Sequence, residues 1–276
     1  MEIEFTKMHG LGNDFVVIDA INQEIDLSEN DVRLIADRHF GIGCDQLLLV
    51  ESSENERVDF VYRIFNADGG EVEQCGNGAR CFMRFVRDQG LTDKSQLQVE
   101  TLGGPLQLIQ QSDGQITVNM GVPRLEPADI PFTAPQREKA YALDILDRQL
   151  EIAAISMGNP HAVLLVDDID NTPVVRIGAA IERHPRFPER VNVGFMQIVD
   201  TEHIRLRVFE RGTGETLACG SGACAAVVAG RLWERLSESV KVVLNGGELV
   251  VSWAGQGQPV LMTGPATTVY QGHIEL

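Results

Sequence analysis

The sequence has no apolar run approaching the roughly 18 residues a membrane helix needs, so no helical span is expected. Its first residues, Met1-Glu2-Ile3-Glu4-Phe5, lack the basic stretch and apolar core of a secretory signal, and the expected compartment is the cytoplasm. Positive charge is scarce. With 23 basic against 40 acidic residues the formal charge is -17, and no Lys/Arg run breaks the excess, so neither a phosphate backbone nor a membrane surface is an expected partner. The acidic surface is read as a solubility feature. Cysteines are few and odd in number (Cys44, Cys75, Cys81, Cys219, Cys224), and without an export signal a disulfide framework is not expected. A cysteine with a task here is reactive or metal-binding. What remains, 43% hydrophobic and 23% charged over 276 residues, is the composition of a soluble globular protein long enough for two domains.

Segments rich in β-branched and aromatic residues predict strands over 15–19, 46–50, 58–65, 115–120, 162–166, 194–199, 204–209, 240–244 and 249–253. Helices are fewer. Ser28 with Asp31 forms a capping box ahead of Val32, Leu34 and Ile35. Thr172-Pro173 reads as an N-cap and first helical residue. Two further helices are expected to begin at Gly76 and Gly220, the first stopping at Gly90 and the second at about Arg235.

The most informative feature is an internal repeat. The stretch from Phe65 through Cys75-Gly76-Asn77-Gly78-Ala79 matches the stretch from Phe209 through Cys219-Gly220-Ser221-Gly222-Ala223, with Phe, Gly, Glu, Cys, Gly, Gly and Ala coinciding at an offset of 144. Upstream, Gly12-Asn13-Asp14-Phe15 resembles Gly158-Asn159-Pro160-His161 at an offset of 146. A period this long implies duplicated domains related by a pseudo-twofold axis. The segment 123–138, with four of the eleven prolines, is read as the crossover between them.

Each half therefore supplies a strand, a glycine-rich turn, a cysteine and a helix. Unpaired N–H groups and the helix dipole favour thiolate at such a position, and neighbouring glycines let a carboxylate approach the backbone. Two thiols converging on one substrate suit inversion of a stereocentre, one removing the α-proton and the other protonating the opposite face. No phosphate-cup motif lies beside a lysine, so pyridoxal phosphate is not expected. Other readings stay open on residues alone. Cys75 and Cys219 can instead be small plugs of helix starts or part of a non-catalytic anion-binding site, whereas a redox pair fits poorly because the two lie 144 residues apart and not as Cys-x-x-Cys. Cys81 and Cys224 lie further along the helices, where rotation of about 100° per residue turns them aside, and they are assigned with Cys44 to packing.

Together Met8-His9-Gly10-Leu11-Gly12-Asn13-Asp14-Phe15, Phe65-Asn66-Ala67-Asp68-Gly69, Cys75-Gly76-Asn77-Gly78-Ala79-Arg80-Cys81, Ser156-Met157-Gly158-Asn159-Pro160-His161 and Ala218-Cys219-Gly220-Ser221-Gly222-Ala223-Cys224 closely resemble the diaminopimelate epimerase family. The resemblance runs end to end, through Asn192-Val193-Gly194-Phe195 and Met262-Thr263-Gly264-Pro265-Ala266. It implies an α+β fold of two pseudo-symmetric domains, each a curved, barrel-like mixed β-sheet around a central helix, with the active site in the interdomain cleft. The expected domains are 1–119 plus 265–276, carrying Cys75, and 120–264, carrying Cys219. The implied activity interconverts LL- and meso-2,6-diaminopimelate in lysine and peptidoglycan-precursor synthesis, with no cofactor and no metal. Cys75 and Cys219 match the acid/base pair, and His161 and Glu210 match polar residues tuning the thiols. Asn13, Gln46, Asn66, Asn159, Asn192, Glu210 and Arg211 match substrate contacts. Gly76-Asn77 and Gly220-Ser221 match the backbone sites for the reacting carboxylate. Tyr270 matches a dimer contact, implying a homodimer. A proline-racemase-like enzyme is the nearer alternative, disfavoured by an asparagine set suited to a long acyclic substrate.

Overall fold

The computed structural model describes residues 2–73 and 75–276. Contacts divide the chain into two units, one running to Asn119 and resuming over Thr263–Leu276, the other spanning Met120–Met262. The proline-rich stretch read as a crossover belongs wholly to the second unit. There a single 3-10 turn over Pro127–Asp129 leads Ile130 and Phe132 into the core, so its prolines shape a packed segment instead of a linker. The return comes at Thr263, earlier than residue 265, and Thr263 Oγ1 lies 2.7 Å from Thr117 Oγ1 of the first unit.

In the first unit β1 (Glu2–Gly10), β2 (Asn13–Asp19), α1 (Glu29–Ala36), β3 (Gln46–Ser52), β4 (Phe60–Asn66), α2 (Gly76–Asp88), β5 (Gln96–Thr101), β6 (Gly104–Gln110) and β7 (Ile116–Asn119) follow in order. The chain's last strand, Thr267–Glu275, pairs with β1. From there the sheet runs in sequence order, with β2–β3 and β4–β5 parallel and the other neighbours antiparallel. Parallel neighbours need a crossover, and α1 and α2 are those crossovers. Helix α2 packs against β1, β2, β3, β6 and β7, so the sheet curves around it, while α1 packs on β3. Val16, Ile18, Leu47 and Leu49 join Val32 and Ile35 of α1 in one core, whereas Phe15 and Leu48 lie against Gly78 of α2. Burial on both faces explains why β2 and β3 read as unbroken apolar runs.

The second unit repeats this plan. It holds β8 (Tyr141–Ile145), β9 (Arg148–Ser156), β10 (Pro160–Leu165), α3 (Val174–Glu182), β11 (Asn192–Ile198), β12 (His203–Glu210), β13 (Gly214–Thr216), α4 (Gly220–Leu232), β14 (Ser239–Leu244) and β15 (Gly247–Trp253). Strand β16 (Val260–Gly264) begins in this unit, which ends at Met262, and Thr267–Glu275 is β17. Pairs β10–β11 and β12–β14 are parallel across α3 and α4, and α4 packs on β9, β10, β11, β12 and β15. Equivalent registers make the duplication explicit. Phe15 faces Gln46 as His161 faces Asn192, and Leu47 faces Phe65 as Val193 faces Phe209. The offset therefore falls from 146 to 144 within the β3–β4 link.

Helix ends follow the residues with two exceptions. Ser28 and Asp31 form the capping box, and Gly90, at φ 69°, terminates α2 with Leu91 N–H reaching Val86 O. At α3, however, Pro173 occupies the N-cap, because the Thr172 hydroxyl donates backwards to Asp168 O at 2.5 Å. Helix α4 stops at Leu232, short of Arg235: Glu234 takes φ 61° and Arg235 N–H closes on Gly230 O. Among the described residues no helix is long and apolar enough to cross a membrane.

Candidate active site

The first thiol-bearing turn is built by a tight hairpin and a helix start. Strands β1 and β2 are joined by Leu11-Gly12, both at positive φ (58° and 89°), the conformation two-residue hairpins require. The hairpin places Asn13 beside the N-terminus of α2, where Cys75 is the N-cap with φ −140° and ψ 118°. Cys75 Sγ lies 3.7 Å from Asn13 Oδ1, and the same oxygen accepts Asn77 Nδ2 at 3.2 Å. Asn77 Oδ1 accepts Arg80 Nη2 at 3.1 Å, and Arg80 Nε donates to Pro265 O at 3.0 Å. This guanidinium is fully buried. Its proximity explains Gly10, where a Cβ would sit 3.0 Å from Arg80 Nη2. Gln46 Nε2 donates to Asn66 Oδ1 at 2.9 Å across the β3–β4 pair.

The second glycine of the motif has a packing role that sequence reading assigned to ligand approach. A Cβ on Gly78 would meet Tyr62 Oη at 2.4 Å, and one on Gly222 would meet Val208 Cγ2 at 3.1 Å. Both glycines let the helix sit close against its sheet. Tyr62 Oη in turn donates to Cys75 O at 3.3 Å.

Behind Asn13 stands a charged cluster. Arg38 holds Asp14 with two hydrogen bonds, 3.0 and 2.7 Å, and reaches Asp45 at 2.8 Å. Lys7 donates to Asp14 at 2.6 Å and to Gly43 O. Burial works to raise the Asp14 carboxyl, but the hydrogen bonds from Arg38 and Lys7 hold it well below the usual carboxylate range.

The second turn has the same backbone and different company. Cys219 is the N-cap of α4 with φ −125° and ψ 110°, 5% exposed. Ser221 Oγ lies 3.6 Å from its sulfur, and Asn159 Nδ2 donates to Ser221 Oγ at 3.4 Å. Burial, and next the Glu210 carboxylate, push the Cys219 thiol well up, against the Ser221 hydroxyl and Gly222 N–H. The expectation that a helix start lowers this thiol is therefore overturned: desolvation and a neighbouring anion outweigh the helix donors. Glu210 accepts the Thr216 hydroxyl at 2.5 Å.

His161 is completely buried. Its Nε2 is 2.9 Å from Asn159 Oδ1, an acceptor, which places the ring proton on Nε2 and leaves Nδ1 a buried lone pair with no hydrogen-bond partner among the described residues. Burial, with a smaller effect from Arg211, pulls this imidazole down to about 3, so it is neutral at physiological pH. Asn192 Oδ1 accepts Arg211 N–H at 2.9 Å and its Nδ2 donates to Pro160 O at 3.2 Å. Arg211 is exposed, with Nη1 donating to Glu189 O at 3.0 Å. Gly212 N–H donates to the buried Glu182 carboxylate at 2.7 Å.

In the first unit the structure brings together Cys75, Asn13 and Asn77, with Gln46 paired to Asn66. In the second, Cys219, Ser221, Asn159 and His161 are linked, with Glu210 acting on the thiol. Tyr270 lies on β17, edge-on to Phe5. All five cysteines are thiols; Cys44, Cys81 and Cys224 are buried, and burial pushes Cys44 up to about 11 and Cys81 to about 12. Sequence reading missed Asp45, Arg80 and Glu182, whose contacts cross long stretches of chain; only Arg80, inside a motif, carried any signal.

The diaminopimelate epimerase family model matches residues 5–126 and 153–269. Diaminopimelate epimerases of Nitrosospira multiformis (60% identical, covering 100% of this chain and 99% of the relative) and of an Azoarcus species (62%, 100% of both) are among the most similar curated proteins. Similar solved structures include a phenazine biosynthesis protein of the PhzF family from Bacillus anthracis (TM-score 0.71, 17% identity, 100% of both chains). A hydroxyproline epimerase from Agrobacterium vitis matches with TM-score 0.69 and 16% identity over 99% of this chain and 92% of the other. These structural neighbours share the α+β fold. With the family matched in both halves and about 60% identity sustained over the whole length, the chain belongs to the diaminopimelate epimerase family and is an isomerase.

Proposed function

We propose that this enzyme interconverts LL- and meso-2,6-diaminopimelate without pyridoxal phosphate or metal, with Cys75 and Cys219 as its acid/base pair. The observation that carries this reading is that each unit presents a cysteine at the N-cap of its central helix with nearly the same backbone angles. Its near relatives are named for the same substrate, which supports the choice of diaminopimelate.

One cysteine, as thiolate, takes the proton from the α-carbon; the electron pair left on carbon delocalises into the adjacent carboxylate. The other cysteine, as thiol, delivers its proton to the opposite face, and the pair exchanges protonation states. An α-proton beside a carboxylate is far less acidic than a thiol, so the backbone N–H groups of Gly76-Asn77 and Gly220-Ser221 stabilise the developing charge. The Glu210 carboxylate accepts a hydrogen bond from the Cys219 thiol and favours its protonated form, and the unprotonated Nδ1 of His161 is a second buried acceptor. Asn13, Gln46, Asn66, Asn159, Asn192 and Arg211 bind the ammonium and carboxylate ends, with Arg211 gripping the distal carboxylate. The enzyme works in the cytoplasm, in lysine and peptidoglycan-precursor synthesis, as a homodimer through the face carrying Tyr270.

The test is incubation of the purified, reduced protein with LL-diaminopimelate in deuterated water and no added cofactor. Deuterium enters the α-position as the meso isomer forms; absence of both under reducing conditions refutes the reading.

A further inference from the structure

The carboxamide of Asn13 has two possible orientations, and the hydrogen bonds around it select one. Its Oδ1 accepts Asn77 Nδ2 and faces the Cys75 sulfur, while its Nδ2 donates to Asp45 Oδ2 at 3.0 Å. The chain of donors continues at both ends. Asn77 Oδ1 is held by the buried Arg80 guanidinium, and Asp45 is held by Arg38 Nη2 at 2.8 Å. Asp45 is further locked to Asp14, each backbone N–H donating to the other's carboxylate, at 3.1 and 2.9 Å. A cation thus anchors the acceptor end of the series and an anion the donor end. Turning either amide over would set donor against donor.

We propose that Asp45 is a positioning residue: its carboxylate fixes Asn13 so that the amide oxygen, not the nitrogen, faces the Cys75 thiol. This rests on the reading of Cys75 as an acid/base group. An oxygen turned to the sulfur accepts the S–H and keeps the proton there until a substrate is seated. A released amide can turn its N–H to the sulfur and favour the thiolate instead. Asp45 touches neither the thiol nor the reacting carbon; it acts through Asn13.

The Asp45 side chain is 45% exposed and Arg38 keeps both bonds to Asp14 without it, so Asp45→Ala is expected to melt within a few degrees of the native enzyme. At fixed pH and without substrate, iodoacetamide modifies Cys75 of Asp45→Ala about tenfold faster, with Cys219 unchanged, the factor expected for loss of a hydrogen bond to a charged group. Turnover measured as kcat/KM falls by a similar factor. In Asp45→Asn the new amide oxygen still accepts from Asn13, and both readouts return to within about twofold of native, which a general loss of charge or packing does not predict. Native alkylation and turnover in Asp45→Ala, or equal losses in both variants, overturn the proposal. Alkylation responds whether or not diaminopimelate is the substrate, so a shifted alkylation rate in a chain without epimerase activity removes the functional reading and leaves the positioning role standing.

Discussion

The two units share a backbone and differ in what surrounds the thiol. Around Cys75 the neighbours are amides, Asn13 and Asn77, with a fully buried Arg80 behind them. At the matching positions around Cys219 stand Glu210 for Asn66, His161 for Phe15, Ser221 for Asn77 and Cys224 for Arg80. The turn after β4 and its counterpart after β12 are each clamped from the outer helix, but with opposite chemistry: Arg33 donates to Asp68 O at 2.6 Å, whereas Glu182 accepts Gly212 N–H at 2.7 Å. Duplication therefore supplied the frame, and divergence placed the titratable groups Glu210 and His161 in the second unit where, among the described residues, the matching positions of the first hold Asn66 and Phe15. Under the proposed two-base scheme, in which at any instant one sulfur holds a proton that the other lacks, these groups bear on the protonation state of Cys219.

The sharpest way to break the comparison is to remove each sulfur in turn. Cys75→Ala and Cys219→Ala are each expected to lower turnover by roughly 10³-fold or more, because the proposed scheme gives each thiol its own half of the proton transfer. Near-native turnover in either variant, measured by α-deuterium incorporation, would end the two-base scheme. The next effect separates charge from scaffold. In Glu210→Gln, removing the anion beside Cys219 lets its thiol ionise at lower pH, read from thiolate absorbance near 240 nm, while turnover drops about 10²-fold because the carboxylate that holds the proton on this sulfur is gone. An unchanged titration would take Glu210 out of the thiol's surroundings.

His161→Phe restores the residue that the first unit carries at the matching place. The folded imidazole titrates at about 3 and the unfolded one near 6.5, so the unfolded chain takes up its proton first as pH falls. Stability from this group is complete above about pH 6.5 and declines through the window down to about pH 3. Between pH 7 and pH 4.5 the loss is about 2.5 kcal/mol, at 1.36 kcal/mol per unit below the unfolded pKa. Urea unfolding of native enzyme and variant at the two pH values should show a flatter acid limb in the variant, and identical limbs would assign the acid sensitivity elsewhere.

The repeat, and with it the fold class and both helix-start cysteines, was legible because Cys-Gly-x-Gly-Ala twice interrupts the chain at nearly constant spacing. The nine strands read from β-branched runs all exist, since they are strands with a face on a core. Others left no such trace. Strand β17 is exposed along almost its whole length, β9 opens with Arg148-Gln149-Leu150-Glu151, and β6 starts at Gly104-Pro105, so pairing with neighbours, not local composition, makes them strands. The protonation of Cys219 was misread for the same reason: its helix start is local, but its burial and the approach of Glu210 are tertiary. Asp45 carried no signal because its partner Asn13 lies 32 residues away.

The smallest effect tests whether the duplicated frame is also energetically duplicated. Arg63 and Glu71 form a two-pronged pair at 2.9 Å for each bond, and Arg207 and Glu215 form its counterpart at 2.6 and 2.9 Å. The first pair is more open, with side chains 38% and 30% exposed against 22% and 20%. Arg63 spends its remaining nitrogen on Glu51, another carboxylate at the surface, whereas Arg207 Nη1 donates to Ile169 O at 2.9 Å and Thr172 O at 3.4 Å. Removing Arg207 thus strands the Ile169 carbonyl ahead of α3, while Thr172 O keeps the Val174 N–H at 2.8 Å, and removing Arg63 strands no carbonyl. Arg207→Gln is expected to cost about 2 kcal/mol in urea unfolding and Arg63→Gln about 0.5 kcal/mol, the latter shrinking further in high salt. Equal costs would mean that the ion pair itself, inherited by both units, does the stabilising, and that the carbonyl contacts added in the second unit contribute little.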